Sequence, residues 1–378
     1  MRLAHLSDTH LGYRQYNLDE RENDIYDAFN QIVEKILEER VDIVIHSGDL
    51  FDSYRPPIKA LKVFKEAIKK LSDRVKIISI LGDHDIPKRR GLPPHSLFDE
   101  IIVLGVGKLE WVEVDGVLIA GISNLRGKGI ELLKTELRKF DTIAGKYRES
   151  ILIAHQGIDR YLPFEEAYEL KEDDLPKKAT YYAFGHIHSR ILTRFGRGYL
   201  AYAGSIEIMR RDEIESWNKA GKGFFIVDLE GDEPEIHRIN IDIRPQYVIE
   251  VDLTKNKIED VLLKYMSIKH RKLPILHIFI SGRNPNMHQI LGKLNTLLRT
   301  RVLKYNVFFR DATLIHPPSE PPEKGGVNLR TLISEYLKKY GIKDQKYVDL
   351  ALNLYEYLSE GEIEEAKKII KDFLESDT

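Results

Sequence analysis

Five short apolar segments of the chain each end in aspartate or histidine, and this recurrence limits the possible folds more than any other feature. The five endings are Asp8-Thr9-His10, Gly48-Asp49, Gly82-Asp83-His84-Asp85, His155 and Gly185-His186-Ile187-His188. In open α/β sheets, ligands collect beyond the carboxyl ends of the strands. The pattern therefore predicts a layered α/β domain in which these side chains lie together along one edge.

The spacing within the endings suits metal binding. Alternate residues of an extended segment point the same way, so Asp8 and His10 can reach one centre. Glycines before the ligands permit tight turns without a Cβ. The chain has no cysteine, so only carboxylates and imidazoles are available as strong metal ligands. The predicted ligands are Asp8, His10, Asp49, Asp83, His155, His186 and His188, which suffice for two divalent cations if one carboxylate bridges.

The order of these endings carries a resemblance to a known family. Asp-x-His, Gly-Asp, Gly-x-His-Asp, His and Gly-His-x-His, spread over the first half of the chain, resemble the calcineurin-like metallophosphoesterases. The segments Asp8-Thr9-His10-Leu11-Gly12, Gly48-Asp49-Leu50-Phe51-Asp52 and Gly204-Ser205-Ile206-Glu207 narrow the match. They resemble the double-strand-break repair nucleases of the meiotic recombination 11 and SbcD type.

The resemblance implies a division of the ligands and a catalytic residue. One cation is held by Asp8, His10, Asp49 and His188. The other is held by Asp49, Asp83, His155 and His186, so that Asp49 bridges. By the same resemblance His84 is catalytic, as a general acid or by stabilising the leaving oxygen. The resemblance also implies Mn²⁺, whereas mixed oxygen and nitrogen ligands alone admit Mn, Fe, Co or Zn.

Two positions depart from the pattern of that family. The family usually has asparagine at the position of Asp83. The additional negative charge of Asp83 predicts that the second cation binds more tightly and that the nuclease attacks its substrate best at a higher pH. Archaeal and eukaryotic relatives often have histidine at the position of Asp52. Because that histidine is implicated in exonuclease action, the balance between exonuclease and endonuclease activity stays open.

The whole sequence divides into three predicted parts and a linker. Residues 1–243 are expected to be the nuclease domain, for which the resemblance implies a four-layer α/β fold with a β-sandwich flanked by helices. Residues 244–315 show a β-α-β-α-β pattern, which predicts a small α/β cap. Positions 244–311 hold 13 Lys and Arg against 5 Asp and Glu, so we expect the cap to contact DNA phosphates. A proline- and glycine-rich linker, 316–328, precedes a helical module at 329–378.

Partners are predicted from apolar stripes and from the resemblance. The stripes in 329–378 suit either packing within the chain or docking on a partner. The resemblance implies an SMC-like ABC ATPase of the SbcC type at this module. It also implies a homodimer through helices at 58–71 and around 92–101. Arg55, Arg89 and Arg90 follow the metal segments and are candidate contacts to DNA.

The expected function is a Mn²⁺-dependent DNA endonuclease and 3′–5′ exonuclease in double-strand break repair. Two alternatives stay open: a phosphatase or cyclic-nucleotide phosphodiesterase on the same core, and a DNA-end tethering scaffold with weak catalysis. The sequence shows neither a signal peptide nor a long apolar stretch, so we expect a cytoplasmic, nucleoid-associated protein without a membrane span. His5 and His46 lie within apolar strands and are predicted to be core residues.

Overall fold

The computed structural model describes residues 1–87, 91–162, 167–231, 233–266, 268, 270–282, 286–311, 329–339, 342, 344–359 and 363–376. These residues form two compact units. The strands are β1 (Arg2–Leu6), β2 (Ile43–His46), β3 (Lys76–Ser79), β4 (Ile101–Val103), β5 (Glu110–Val114), β6 (Val117–Ile122), β7 (Glu149–His155), β8 (Tyr181–Gly185), β9 (Ile191–Phe195), β10 (Gly198–Tyr202), β11 (Gly223–Asp228), β12 (Glu235–Asn240), β13 (Gln246–Asp252), β14 (Ile275–Gly282) and β15 (Lys304–Asp311). The helices are α1 (Asp19–Glu39), α2 (Ile58–Leu71), α3 (Ile130–Ala144), α4 (Glu213–Ala220), α5 (Ile258–Met266), α6 (Met287–Leu298), α7 (Leu329–Lys339), α8 (Gln345–Ser359) and α9 (Ile363–Ser376).

Two six-stranded sheets form the centre of the first unit. Their strand orders are β12-β11-β1-β2-β3-β4 and β5-β6-β7-β8-β10-β9. In the first sheet β1, β2 and β3 are parallel, and Leu6 pairs with His46. In the second sheet β6, β7 and β8 are parallel, and His155 pairs with Gly185. The predicted ligand segments therefore leave neighbouring parallel strands at the same end.

Apolar side chains hold four layers together. Leu3, Ile45, Ile153 and Tyr181 belong to a buried core that is built from both sheets. On its other face the first sheet packs against α1 and α2, and α3 contacts β6 and β7 of the second sheet. Burial of each leucine, isoleucine or phenylalanine side chain contributes roughly 1.5–3 kcal/mol to the free energy of folding. The apolar side chains of the strands and helices, buried between the layers, therefore stabilise this arrangement. The predicted four-layer fold is confirmed.

One predicted helix is wrong. The segment around 92–101 forms only a short 3₁₀ helix, Pro94–Leu97, before the chain enters β4. Pro93 and Pro94 lack backbone N–H donors, and a residue that precedes proline is biased toward extended conformations. The helix predicted at 58–71 is present as α2. Its Phe64, Ile68 and Leu71 are buried in the core, whereas Ile58 is exposed.

The five elements predicted after residue 244 are present as β13, α5, β14, α6 and β15. The three strands are parallel, and α5 and α6 bury one face of their sheet around Ile249, Ile278 and Leu294. We call residues 244–311 the cap. The bounds of 1–243 and 244–315 proposed for the two domains remain a prediction.

A network of charges, buried except at the partly exposed Asp27 and Lys272, joins the cap to the rest of the first unit. Three carboxylates and three cations contribute to it: Asp24, Asp27, Glu207, Arg21, Arg244 and Lys272. Arg21 donates to Asp24 and Glu207 at 2.7 and 2.8 Å. Arg244 of the cap donates through Nη2 to Asp24 at 3.0 Å and through its backbone N–H to Glu207 at 2.8 Å. We call these six residues the junction cluster.

The second unit contains residues 157–172 and the three C-terminal helices. Helix α8 packs against both α7 and α9, and Val348 and Ala366 are buried. Tyr336 and Leu374 remain exposed. The predicted linker at 316–328 lies outside the described residues. No helix in the described part of the chain combines the length and apolarity needed to cross a bilayer.

Candidate metal centre

The loops that follow β1, β2 and β8 adopt an unusual backbone at the predicted ligands. Asp8, His10, Asp49 and His186 have φ values of 48°, 41°, 56° and 89°. Such left-handed conformations are uncommon for residues other than glycine and cluster at functional sites. They are held by backbone bonds between the first two loops, from Asp8 N to Gly48 O at 3.0 Å and from His10 N to Asp49 O at 3.1 Å.

The structure brings all seven predicted ligands together in four overlapping groups of three residues, and one of these groups, with His10 and Asp49, also includes His84. Within each group the potential ligand atoms lie within 4.8 Å of one another. One group is Asp8, His10 and His188, and another is Asp83, His155 and His186. Asp49 lies between them, since its Oδ2 is 3.6 Å from His10 Nε2 and 3.3 Å from His155 Nε2. The division of these seven residues between two cations stays a prediction.

The histidines of this centre fit a site for cations. Both ring nitrogens of His10 are buried without a hydrogen-bond partner, an arrangement that costs free energy unless another group binds them. Burial lowers the pKa of His10, but Asp52, Asp49 and Asp8 outweigh it and raise the pKa to about 9. Burial also lowers the pKa of His155, yet Asp49 and Asp83 hold it well above its ordinary value. The carboxylates therefore attract positive charge, which bound cations supply when they displace these protons.

Neighbouring groups orient two of the imidazoles. His155 Nδ1 donates to the carbonyl oxygen of Ser47 at 2.8 Å, which directs Nε2 toward Asp49 and Asp83. His188 Nδ1 donates to Glu213 at 2.9 Å, which directs Nε2 toward Asp8. Bonds of this kind fix the tautomer of metal-ligating histidines. Gly48 has a φ of 92°, and a Cβ there would lie 2.4 Å from His155 Nδ1, so glycine is required.

Glu213 was not predicted from the sequence. It begins α4 and is buried, and it also accepts hydrogen bonds from Lys222 Nζ at 2.6 Å and Ser205 Oγ at 2.8 Å. Burial raises its pKa, but Lys222 and His188 outweigh burial and lower the pKa below the ordinary glutamate value. Glu213 is therefore an ionised acceptor for His188. The Gly204-Ser205 motif gave an indirect signal, because Ser205 contacts it.

His84 lies at the exposed edge of the centre. Its Nδ1 donates to the carbonyl oxygen of Asp52 at 2.7 Å, and its Nε2 is 3.8 Å from Asp83 Oδ2. The ring also contacts His10 edge-on at a centroid distance of 4.7 Å. Asp52, one of the two departures from the family pattern, thus positions His84 through its backbone and lies 3.4 Å from His10 Nδ1 through its side chain.

Asp83, the other departure, has a positively charged neighbour. Arg126 Nη2 lies 2.9 Å from Asp83 Oδ2. Burial raises the pKa of Asp83, but hydrogen bonds from His155 and His186 and the charge of Arg126 keep it well below its ordinary value. Arg126 follows β6 and was not predicted as a site residue. Its charge offsets part of the negative charge that aspartate adds at this position.

The candidate DNA contacts are only partly described. Arg55 is exposed and lies over the ring of Tyr54, and Arg89 and Arg90 lie outside the described residues. Two basic residues of the cap have another role, because Arg271 contacts Asp27 and Asp242 while Lys272 belongs to the junction cluster. His5 is buried between Tyr181 and Ser47, and His46 is buried beside Thr9, as predicted for core residues.

Comparisons with known proteins identify the family. The model of the family described as calcineurin-like phosphoesterase matches residues 1–190. The "DNA double-strand break repair protein Mre11" of Methanocaldococcus jannaschii is 36% identical over 375 residues, covering 96% of each chain. The protein of the same name from Sulfolobus acidocaldarius is 37% identical over 379 residues, covering 97% of this chain and 98% of the other.

These matches extend over the sheets, the cap and the helical module, so the similarity is not limited to the metal-binding segments. They confirm the family predicted from the five segment endings and the prediction of a phosphoesterase. The chain therefore belongs to the calcineurin-like phosphoesterases and, within them, to the Mre11 family of DNA double-strand break repair proteins.

Proposed function

We propose that this protein is a DNA nuclease that processes double-strand breaks by hydrolysing phosphodiester bonds at a centre for two divalent cations. The observation that carries the proposal is the convergence of three carboxylates and four imidazoles, among which His10 has buried ring nitrogens without a hydrogen-bond partner. The similarity to repair proteins over nearly the whole chain directs this chemistry to DNA.

Asp8, His10, Asp49 and His188 would hold one cation, and Asp49, Asp83, His155 and His186 the other. Two such cations supply activation of water for attack on phosphorus and neutralisation of charge on the phosphate oxygens. Mn²⁺ is the proposed ion because the family resemblance implies it, and the carboxylate and imidazole ligands admit it along with Fe, Co and Zn. Glu213 and the Ser47 carbonyl keep the Nε2 atoms of His188 and His155 directed at the carboxylates.

His84 would serve the leaving group. Because Nδ1–H is already donated to the Asp52 carbonyl, the nitrogen that can hold or release a proton toward a substrate is Nε2. The exposure of the ring lets that nitrogen reach a bound phosphodiester. A proton passed from Nε2 to the departing oxygen makes His84 a general acid.

Further parts of the proposal concern DNA and partners. The basic cap and Arg55 would contact the DNA backbone, a sequence-independent interaction that weakens with salt. The helices α7–α9 would bind a coiled-coil ABC ATPase, and the exposed Ile58, Leu92 and Leu97 would lie in a homodimer interface. We place the protein with the nucleoid in the cytoplasm.

The test is cleavage of end-labelled single- and double-stranded DNA with Mn²⁺, beside Asp49→Ala and the exposed control Asp73→Ala. We expect cleavage that requires Mn²⁺ and falls by more than about 100-fold in Asp49→Ala, because even outer-shell changes at metal sites cost 10- to 100-fold. The label also reports polarity. DNA binding without cleavage in all three proteins would instead favour the tethering scaffold, and the ATPase would then be added. Hydrolysis of a phosphomonoester with no action on DNA would favour the phosphatase.

A further inference from the structure

The face of the cap sheet opposite α5 and α6 carries a pair of stacked aromatic rings. Phe279 of β14 and Phe308 of β15 are cross-strand partners, and their ring centroids are 4.7 Å apart with the planes inclined by 16°. They lie on the face opposite α5 and α6, because their neighbours Ile278 and Ile280 point into the buried core. Phe308 is 36% exposed, so the pair is not enclosed by the fold.

Arg211 and Tyr16 from the nuclease side and Lys304 of β15 complete the surface. The guanidinium of Arg211 lies 5.0 Å from the Phe279 centroid and 5.1 Å from the Phe308 centroid. Lys304 Nζ lies 5.2 Å from the centroid of the Tyr16 ring. Tyr16, Arg211 and Phe308 line one open cleft. We call Tyr16, Arg211, Phe279, Lys304 and Phe308 the aromatic platform.

The composition of the aromatic platform suits an unpaired nucleobase better than an apolar protein segment. Every base has a π face that stacks on aromatic rings, and lysine and arginine beside the rings attract the phosphates that accompany it. The cap has a surplus of eight positive charges over residues 244–311, 13 against 5. Bases in a duplex are stacked on one another, so a free face is offered only by a single strand. On the side away from Phe308, the cross-strand partner of Phe279 is Glu250 of β13. Phe308 is therefore the ring of the aromatic pair that a base can reach.

The platform is also connected to the metal centre through two loops. Tyr16 follows His10 by six residues, and Gln15 and Tyr13 both donate to Met209 O. Arg211 precedes Glu213, the residue that orients His188, by two residues. Both loops thus run directly from the candidate metal centre to the platform.

We propose that the aromatic platform binds an unpaired base of single-stranded DNA by stacking it on Phe308. The proposal rests on the proposed DNA nuclease function and extends it, since it gives the enzyme a site for strands that have separated near the cleavage point. The base is recognised by its π face, so the site has little sequence preference.

The test compares the affinities of oligothymidylate and of an abasic oligomer of the same length, measured by fluorescence anisotropy in EDTA. Both probes carry the same phosphates, but only one has bases. The proteins are wild type, Phe308→Ala, Phe308→Leu and the control Trp111→Ala, which removes an exposed aromatic ring on β5. Removing an aromatic ring that stacks a base typically weakens binding by about fivefold or more.

We expect wild type and Trp111→Ala to prefer oligothymidylate. In Phe308→Ala the affinity for oligothymidylate falls by about fivefold or more, and that for the abasic oligomer is unchanged. Phe308→Leu follows Phe308→Ala, because it keeps apolar bulk without the π face. Equal affinity of wild type for both probes, or equal affinity of wild type and Phe308→Ala for oligothymidylate, overturns the platform. Failure of the nuclease proposal is seen separately, as absence of Mn²⁺-dependent cleavage by wild type.

Discussion

The candidate metal centre and the junction cluster are both buried and both contain three carboxylates, yet their charges are balanced differently. In the junction cluster Arg21, Arg244 and Lys272 face three carboxylates at hydrogen-bond distances. In the metal centre the carboxylates of Asp8, Asp49 and Asp83 face imidazoles, and among the described residues Arg126 is the one guanidinium that pairs with them.

The comparison indicates which buried carboxylates stabilise the fold and which bind ions for a reaction. A carboxylate that is paired with a permanent cation within the chain needs nothing further. The metal centre has too few arginine and lysine side chains to neutralise its carboxylates. The carboxylates raise the pKa of His10 and His155, so that protons on these imidazoles supply part of the missing positive charge. We therefore assign the junction cluster to docking of the cap and the metal centre to binding of external cations.

The largest expected effect comes from breaking the balance of the junction cluster. Arg21→Met leaves the buried Asp24 and Glu207 short of a cation, so we expect the free energy of unfolding to fall by about 3–5 kcal/mol. Urea denaturation measures it, and Mn²⁺ binding to the folded variant should be unchanged. A loss below about 1 kcal/mol, the usual value for a surface ion pair, would show that the cluster does not depend on internal balance.

A smaller effect is expected from Glu213→Gln, which removes the charge that orients His188. The uncharged amide is a weaker acceptor and no longer neutralises Lys222. We expect Mn²⁺ affinity and DNA cleavage to fall by 10- to 100-fold, roughly the range found for outer-shell partners of metal ligands. Calorimetric titration with Mn²⁺ checks this, with Glu215→Gln on the exposed side of α4 as the matched control. Unchanged affinity would contradict the role of Glu213.

Asp83→Asn tests whether the additional carboxylate matters. We expect Mn²⁺ binding at the second position to weaken by about tenfold, the lower end of the range for changes around metal ligands, because Arg126 already offsets part of the charge. The pH–rate curve should move to lower pH, since one fewer negative charge surrounds the attacking water. If both the Mn²⁺ titration and the pH–rate curve are unmoved, the hypothesis about Asp83 is wrong.

The smallest effect concerns the stability of the junction cluster in acid. Burial raises the pKa of Asp24, but Arg244, Arg21 and Lys272 outweigh it and lower the pKa below the ordinary value. The ionised carboxylate of Asp24 therefore stabilises the fold at pH values above its unfolded-state pKa of about 4. This stabilisation is lost as the pH falls and acid protonates the carboxylate in the folded protein. Melting temperatures of wild type and Asp24→Asn should therefore differ at neutral pH and approach each other in acid. A constant difference would contradict this assignment.

The sequence predicted the metal centre more completely than its surroundings, for a physical reason. The ligands follow strands within short segments, so local patterns of apolar residues, glycine, Asp and His suffice to place them at one edge. Glu213 and Arg126 meet the ligands only through tertiary structure, and Arg244 contacts Asp24 across 220 positions of the chain. No local pattern distinguishes such charges from solvated ones. Arg271 and Lys272 count toward the basic surplus of the cap, yet both pair with Asp27.

Elements were predicted best where an apolar stripe was long. The helix predicted at 58–71 has an apolar stripe and is present with those bounds as α2. Strand β12 offers no such signal, because Glu235, His237 and Arg238 make its sequence largely polar. The helix expected around 92–101 failed at two adjacent prolines. The cap elements followed from their alternation of apolar strands and helices, but the exposed pair Phe279 and Phe308 is visible only once β14 and β15 are in register.

The carboxylates of the junction cluster are neutralised by arginine and lysine side chains, whereas those of the metal centre need metal ions. The most direct test is the number of Mn²⁺ ions bound per chain at saturation, measured by equilibrium dialysis with wild type and Asp49→Ala. We expect two ions for wild type and fewer for Asp49→Ala, which loses the shared carboxylate. Binding of no Mn²⁺ by wild type, or the same number of ions bound by both proteins, would contradict this expectation.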